Sequence, residues 1–395
     1  MSSTPAPLDP SGRPWASLPE DLIRLVASRL LAGDLLDYVR FRAVCASWLS
    51  ATASPRGRAV GDPRFHPRRW IMFPEGHGLY PRHPDLRGHI RFVNLDTGAL
   101  ARAHLPLFAE HVAMDSVDGL LVLFRERDTA VRLLHPFTGD IVEFPPLATL
   151  VPQIAERQQW NLSSWRYESV SSPPFSFRGK LYVAHPVLFC DHIHIHQIDP
   201  PVKDCEPQPP KLIATLPKGN LVNPVHMVEC DSEILVLGYK DPTLSQIVVF
   251  KLADLARQRC VQITSIGGNT LFISESSLSV SSNALRTAMG DAVLTTDSGQ
   301  QHLVQYHLIT GNWSPAADDC RVYGPAPGPC TFMHHILSCC IRSRWYVRLC
   351  LPTFTLCFHD IRSLWVKLIR FALFCTFRNT GRIFGRNPKG WYGGR

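Results

Sequence analysis

Three segments of the chain share one pattern, an apolar strand, a Thr-Gly turn and a second strand. They are Phe92-Val93-Asn94-Leu95-Asp96-Thr97-Gly98, Leu133-Leu134-His135-Pro136-Phe137-Thr138-Gly139 and Gln305-Tyr306-His307-Leu308-Ile309-Thr310-Gly311. Glycine after a polar residue supplies the positive φ that a tight strand-to-strand turn demands, so each segment reads as a hairpin. The Thr-Gly pairs at 97, 138 and 310 lie 41 and 172 residues apart, and 172 is close to four further steps of 41. A period of about 40–45 residues is what one propeller blade occupies. Other runs of strand character fall between them: Leu120 to Leu123, Leu181 to Val183, Ile234 to Leu237 and Ile247 to Phe250. Residues 65–341 are therefore expected to form an all-β domain, a β-propeller of six or seven blades. Two stacked sandwiches are the alternative arrangement of the same strands.

Charge narrows the classes of partner. The formal net charge is +8, but residues 342–395 carry 11 Lys/Arg against the single Asp360, leaving 30 basic and 32 acidic side chains in residues 1–341. The body of the protein has no excess of cations for a phosphate backbone, so nucleic acid is not expected as a partner. The 54-residue tail is instead an atypical basic, apolar segment. The 12 cysteines include no CxxC pair, and residues 1–16 lack a charged start followed by an apolar core. A reducing compartment, cytoplasm or nucleus, is the expectation. The most apolar stretch, Leu349 to Phe358, is broken by Pro352 and is shorter than the roughly 20 residues a membrane helix needs, so no membrane partner is expected.

The N-terminal part has a different period. After a Pro-rich, flexible lead-in over 1–16, Ser17 and Glu20 have capping-box spacing, and Leu22, Ile23, Val26 and Leu30 follow at helical intervals. Gly33 is a plausible stop and Asp34 a cap for a second helix from Leu35 to Val44, with a third short segment containing Trp48 and Leu49. Three helices in about 35 residues are too few to be stable alone, since chains below about 40 residues usually need a staple or a partner. An ordinary helical bundle with its apolar stripe as core is the plain reading.

Residues 17–54 resemble the F-box motif along its length, at Leu18-Pro19, Leu22, Ile23, Leu30, Asp34, Leu35, Arg42, Val44-Cys45 and Trp48. The β region is similar to the domain of unknown function of the DUF295 type that follows the F-box in large plant families. The likeness lies in Asp118-Gly119, Gly267 to Phe272, Ser277 to Val280, Gly311 to Pro315 and Gly328 to Cys330, and it stops near residue 340. The resemblance implies a non-catalytic substrate-receptor subunit of an SCF-type cullin-RING ubiquitin ligase. Leu18, Pro19, Leu22, Ile23, Leu30, Val44, Cys45 and Trp48 would meet a Skp-type adaptor and, through it, a cullin. The β domain would hold an unknown protein substrate. A scaffold that degrades nothing and a propeller enzyme fused to a helical unit are the two competing classes.

The remaining chemistry-bearing residues admit plain readings. His192, His194 and His196 alternate with Ile193 and Ile195 and so share one face of a strand, where imidazoles can bind zinc or copper. A solvated strand face needs no ion, and no metal or cofactor is expected. His334-His335 and Cys339-Cys340, read as strand residues, would point alternately to opposite faces and serve as core. Carboxylates at Glu110 and Asp115, and at Asp318 and Asp319, read as solvated loop charges. No nucleophile elbow or phosphate-cradling Gly-rich loop occurs, and no catalytic residue is assigned.

Overall fold

The computed structural model describes residues 15, 18–74, 88–144, 146, 174–186, 192–199, 208–217, 219, 221–285, 288–296, 303–316 and 332–341. The lead-in before Trp15, the acidic pair Asp318 and Asp319, the segment Gly328 to Cys330 and the tail 342–395 lie outside them.

Three helices come first: α1 (Glu20–Gly33), α2 (Leu35–Arg42) and α3 (Ala46–Ala51). Ser17 of the expected capping box lies outside the described residues. The N-cap of α1 is Pro19, without a side-chain cap, and the Pro19 carbonyl accepts from the amides of Leu22 and Ile23 at 3.0 and 3.1 Å. Proline's fixed φ holds the chain extended up to the first helical residue, and its missing N–H is one the helix does not need. Asp34 caps α2 as expected, accepting from Leu36 and Asp37 amides at 2.7 and 3.0 Å. Phe41 stacks on Trp48 at 4.2 Å between ring centres, tying α2 to α3.

The rest is mostly β. Sheet I comprises β1 (Trp70–Met72), β2 (His89–Asn94) and β3 (Leu100–His104). Sheet II comprises β4 (Val112–Val117), β5 (Leu120–Arg125), β6 (Ala130–Leu134) and β7 (Ile141–Phe144). Sheet III comprises β8 (Phe175–Phe177), β9 (Lys180–Pro186), β10 (His192–Ile198) and β11 (Lys211–Pro217). Sheet IV comprises β12 (Val222–Cys230), β13 (Glu233–Tyr239) and β14 (Ile247–Lys251), followed by one turn of helix, α4 (Leu252–Leu255). Sheet V holds β15 (Thr270–Ile273), β16 (Ser277–Val280), β17 (Ala292–Thr296), β18 (Leu303–His307) and β19 (Asn312–Pro315), in the order β16-β15-β17-β18-β19. Sheets I to IV are antiparallel meanders, whereas β15 and β17 pair in parallel.

An edge strand of every sheet, β1, β4, β8, β12 and β16, contributes residues to one central cavity of about 150 Å³. Shared apolar cores join sheets I, II and V, sheets III and IV, and sheets IV and V. Five sheets with their inner strands around a common axis make a β-propeller-like arrangement, not two stacked sandwiches. The three Thr-Gly turns occupy equivalent places, each joining the two outermost strands of its sheet. In each, the glycine amide donates to the carbonyl four residues earlier, Asn94, His135 or His307, at 2.9, 3.0 and 2.8 Å.

Among the described residues there are five sheets, where six or seven blades were expected. In the 172-residue interval between the second and third Thr-Gly turns, the described residues form three sheets. Residues 252–269 go into α4 and an irregular connection and add no strand to a sheet, so residue spacing does not convert directly into a number of blades. Residues 332–340 differ too. They form a helix, α5 (Phe332–Cys340), not a strand, and its Met333, Ile336, Leu337, Cys339 and Cys340 join the core between sheets I and V. His335 stacks on Phe73, just after β1, at 4.6 Å, and the Cys340 carbonyl accepts from the amide of Ser276, just before β16, at 3.1 Å. Adjacent positions lie about 100° apart on a helix, so both cysteines fall on the broad buried face of α5. The core role expected for these residues stands; the strand does not.

Candidate functional site

Two features stand out, an apolar surface on the helical unit and the axial cavity. On α1 the apolar positions divide between two faces. Ile23 and Ala27 are buried and Leu30 half-buried, spaced at i, i+4 and i+7, while Leu22, Leu25 and Val26 at i, i+3 and i+4 face solvent. The single stripe read from the sequence is thus two stripes about a quarter-turn apart. Leu22 is 47% exposed and Val44 61%, whereas Ile23 is 1% and Trp48 9%.

Of the eight residues expected to meet a partner, Pro19, Leu22 and Val44 are exposed, Leu18, Leu30 and Cys45 half-buried, and Ile23 and Trp48 buried. Sequence reasoning left out Leu25, Val39 and Leu49, all exposed. Residues 15–49 hold seven of the fourteen large apolar side chains exposed among the described residues, so the concentration is local rather than a general property of the surface. Trp48 works from inside, its indole N–H donating to the Trp15 carbonyl at 3.2 Å.

The helical unit is seated on the sheets. The second carboxylate oxygen of Asp34 accepts from the Trp70 indole Nε1 and the Asn94 Nδ2 of sheet I, both at 2.6 Å. Asp140, after the second Thr-Gly turn, accepts from the amides of Gly57 and Ala59 at 2.9 and 3.0 Å. Ala27, Leu35 and Tyr38 share a small core with Ala59 and Phe65, against which Phe137 packs. Apolar positions facing inward are used by this joint, and those facing outward remain exposed.

The cavity is modest in size and its lining mixes polar side chains with apolar ones such as Trp70, Phe175 and Met227. Arg69 pairs with Asp96 at 2.7 Å and donates to the Ser279 carbonyl at 2.9 Å, linking sheets I and V. Burial pushes the Glu229 carboxyl above its ordinary range against the opposing pull of Arg69 and Arg68. His226 shares a hydrogen bond with Ser277 Oγ at 3.1 Å, and burial holds its imidazole down at about 4. The turn Asp118-Gly119 closes on the rim, both residues at positive φ, and a β-carbon at Gly119 would fall 2.0 Å from the Pro67 carbonyl oxygen.

Two side-chain groups depart from their sequence reading. Asp115 is buried in β4, accepting from the Ser116 amide at 2.8 Å, and is no solvated loop charge. Glu110 is exposed and paired with Arg125 and Arg127. In sheet III, His194 and His196 of β10 gather with His185 of β9, while His192 at the strand end is exposed. Burial and then mutual repulsion lower the imidazoles of His194 and His196, the latter to about 4, and burial lowers that of His185.

Fold and site together define a mostly β, propeller-like protein carrying a docked three-helix unit with an exposed apolar surface. No protein-family model matches the chain, and no curated protein matches it. Among solved structures, the β-propeller domain of Myceliophteria thermophila Cps50 (Swd1) overlaps 63% of this chain at 11% identity and a TM-score of 0.19. The chain spans 66% of that structure's length. So loose an overlap carries no argument, and the propeller-like reading rests on the five sheets around the cavity.

Proposed function

We propose that this protein is the substrate-receptor subunit of a cullin-RING ubiquitin ligase of the SCF type, with an F-box over residues 17–54 and a DUF295-type propeller that recruits the target. The observation that carries the reading is the outward apolar stripe of α1 with Val39, Val44 and Leu49, on a helical unit whose inward stripe is already used. Each fully buried Leu- or Val-sized side chain contributes about 1.5–3 kcal/mol, so covering these groups with a Skp-type adaptor would offset the cost of association. The protein would then act by proximity, holding a client near a ubiquitin-loaded enzyme and doing no chemistry itself. Such a role belongs in the cytoplasm or nucleus. No helix among the described residues is long and apolar enough to cross a membrane.

Affinity capture with a Leu22→Asp, Val44→Asp double variant tests the reading. The wild-type chain should retain adaptor, cullin and a client that accumulates when the proteasome is inhibited. The double variant should lose the adaptor by at least about tenfold, equivalent to about 1.4 kcal/mol, with an unchanged melting curve, because both side chains are already in water. Adaptor without a stabilised client would indicate a scaffold. Capture of neither adaptor nor cullin by the wild-type chain would refute the proposal.

A further inference from the structure

We propose that His185, His194 and His196 form a binding site for a divalent transition-metal ion of the Zn²⁺ class on one face of sheet III, independent of the ligase reading. One nitrogen from each imidazole can be chosen so that the three lie within 4.8 Å of one another, and His185 Nε2 is 3.1 Å from His196 Nδ1. Tetrahedral coordination with Zn–N near 2.0–2.1 Å places ligand nitrogens about 3.3 Å apart. One pair already has that spacing, and the third nitrogen closes it by side-chain rotation that half-buried rings permit.

Strand geometry explains why this trio converges and the sequence row does not. Residues i and i+4 of a strand lie about 13 Å apart, so His192 and His196 cannot share one ion. Antiparallel pairing instead sets His185 directly opposite His194 and diagonal to His196, which faces Val183. The pairing of β10 with β11 shifts register between Ile195 and His196, skipping Ile213, and such irregularities add twist and re-aim side chains locally. The rings are mutually close, at 5.0 Å and nearly parallel for His185 and His196, and 5.8 and 5.9 Å for the two pairs with His194.

The opposite face has a separate task. Ala184, Ile193 and Ile195 are buried in the core shared with sheet IV, which fixes both backbones beneath the imidazoles. The donor set is all nitrogen, which suits zinc, copper or nickel over magnesium or calcium. Three protein ligands leave a fourth position for water or for a side chain from elsewhere. A bound ion would cross-link β9 to β10.

The full chain, stripped of metal with a chelator, is titrated with Co²⁺ while its visible absorption is followed, and Zn²⁺ is then added in competition. One equivalent should bind, be displaced by Zn²⁺, and raise the melting temperature. His185→Gln and His194→Gln should each weaken binding by at least about tenfold, the loss expected even for an outer partner of a metal site. His192→Gln should bind as the wild type does. Far-UV circular dichroism identifies which variants fold, and because the two substitutions lie on different strands either one suffices. Absence of saturable binding to the wild type would overturn the proposal. So would binding that survives in the folded His185 or His194 variant, which would assign the ion to other side chains, or binding lost equally in His192→Gln.

Discussion

Replacing Asp34 by Ala tests how the helical unit is joined to the propeller, because one carboxylate serves two tasks. One oxygen caps α2 through the Leu36 and Asp37 amides, and the other accepts from Trp70 and Asn94. Losing an N-cap costs about 1 kcal/mol. Trp70 and Asn94 are 3% and 2% exposed, so their donors would be left largely without water, at about 1–3 kcal/mol each. Asp34 itself is half-buried, and water admitted in its place offsets part of that penalty. The expected loss is about 3–5 kcal/mol, a large share of the 5–15 kcal/mol typical of a domain. Urea unfolding of the full chain, followed by far-UV circular dichroism, measures it. Asp34→Ser, which keeps the cap but lacks the second oxygen, should recover about 1 kcal/mol. Combining Asp34→Ala with Trp70→Phe should reveal a coupling above about 1 kcal/mol. Additivity within about 0.5 kcal/mol would mean the two residues do not interact, and the joint would have to be explained by apolar packing alone.

Two further outcomes follow from the same structure. His135 accepts from the amides of Phe137 and Thr138 at Nδ1, and Nε2 lies 3.0 Å from the Phe65 carbonyl, an arrangement that requires the neutral ring. Burial lowers its pKa from 6.5 to about 4, so the unfolded chain binds the extra proton first. Stability from this group is complete above pH 6.5 and declines as pH falls toward 4, by up to about 3 kcal/mol. His135→Asn, which mimics Asn94 in the equivalent turn, should flatten that slope in denaturation series between pH 7 and 4; an unchanged slope would contradict the assignment. Replacing Ile336 or Leu337 of α5 by Ala should cost about 2–5 kcal/mol each in thermal or urea unfolding, because both are fully buried between sheets I and V. A loss below 1 kcal/mol would show that α5 is dispensable to the ring.

The local elements were legible where a short segment decides its own conformation. The Thr-Gly turns are an instance: positive φ at Gly98, Gly139 and Gly311 is a demand that neighbouring residues already impose. The α2 cap at Asp34 and the β character of residues 70–316 are others. Spacing along the chain, however, counts residues and not strands, so a stretch such as 252–269 could be mistaken for part of a blade.

What the sequence determined by itself was therefore most of the alphabet of elements, α5 excepted, and the surplus of apolar groups on the helices. Tertiary structure decided which of those groups are covered. Ile23 and Leu22 are chemically alike and adjacent, and only the docking of α1 against its neighbours separates a core residue from a surface one. Asp34 looked like a helix cap and is also the polar joint to sheet I, because its second acceptor oxygen meets donors 36 and 60 residues away. His185 carried no signal beside the alternating histidines of β10, since a pairing across strands has no fixed separation in sequence. Backbone conformation responds to near neighbours, whereas burial and the convergence of side chains depend on groups that only the folded chain brings together.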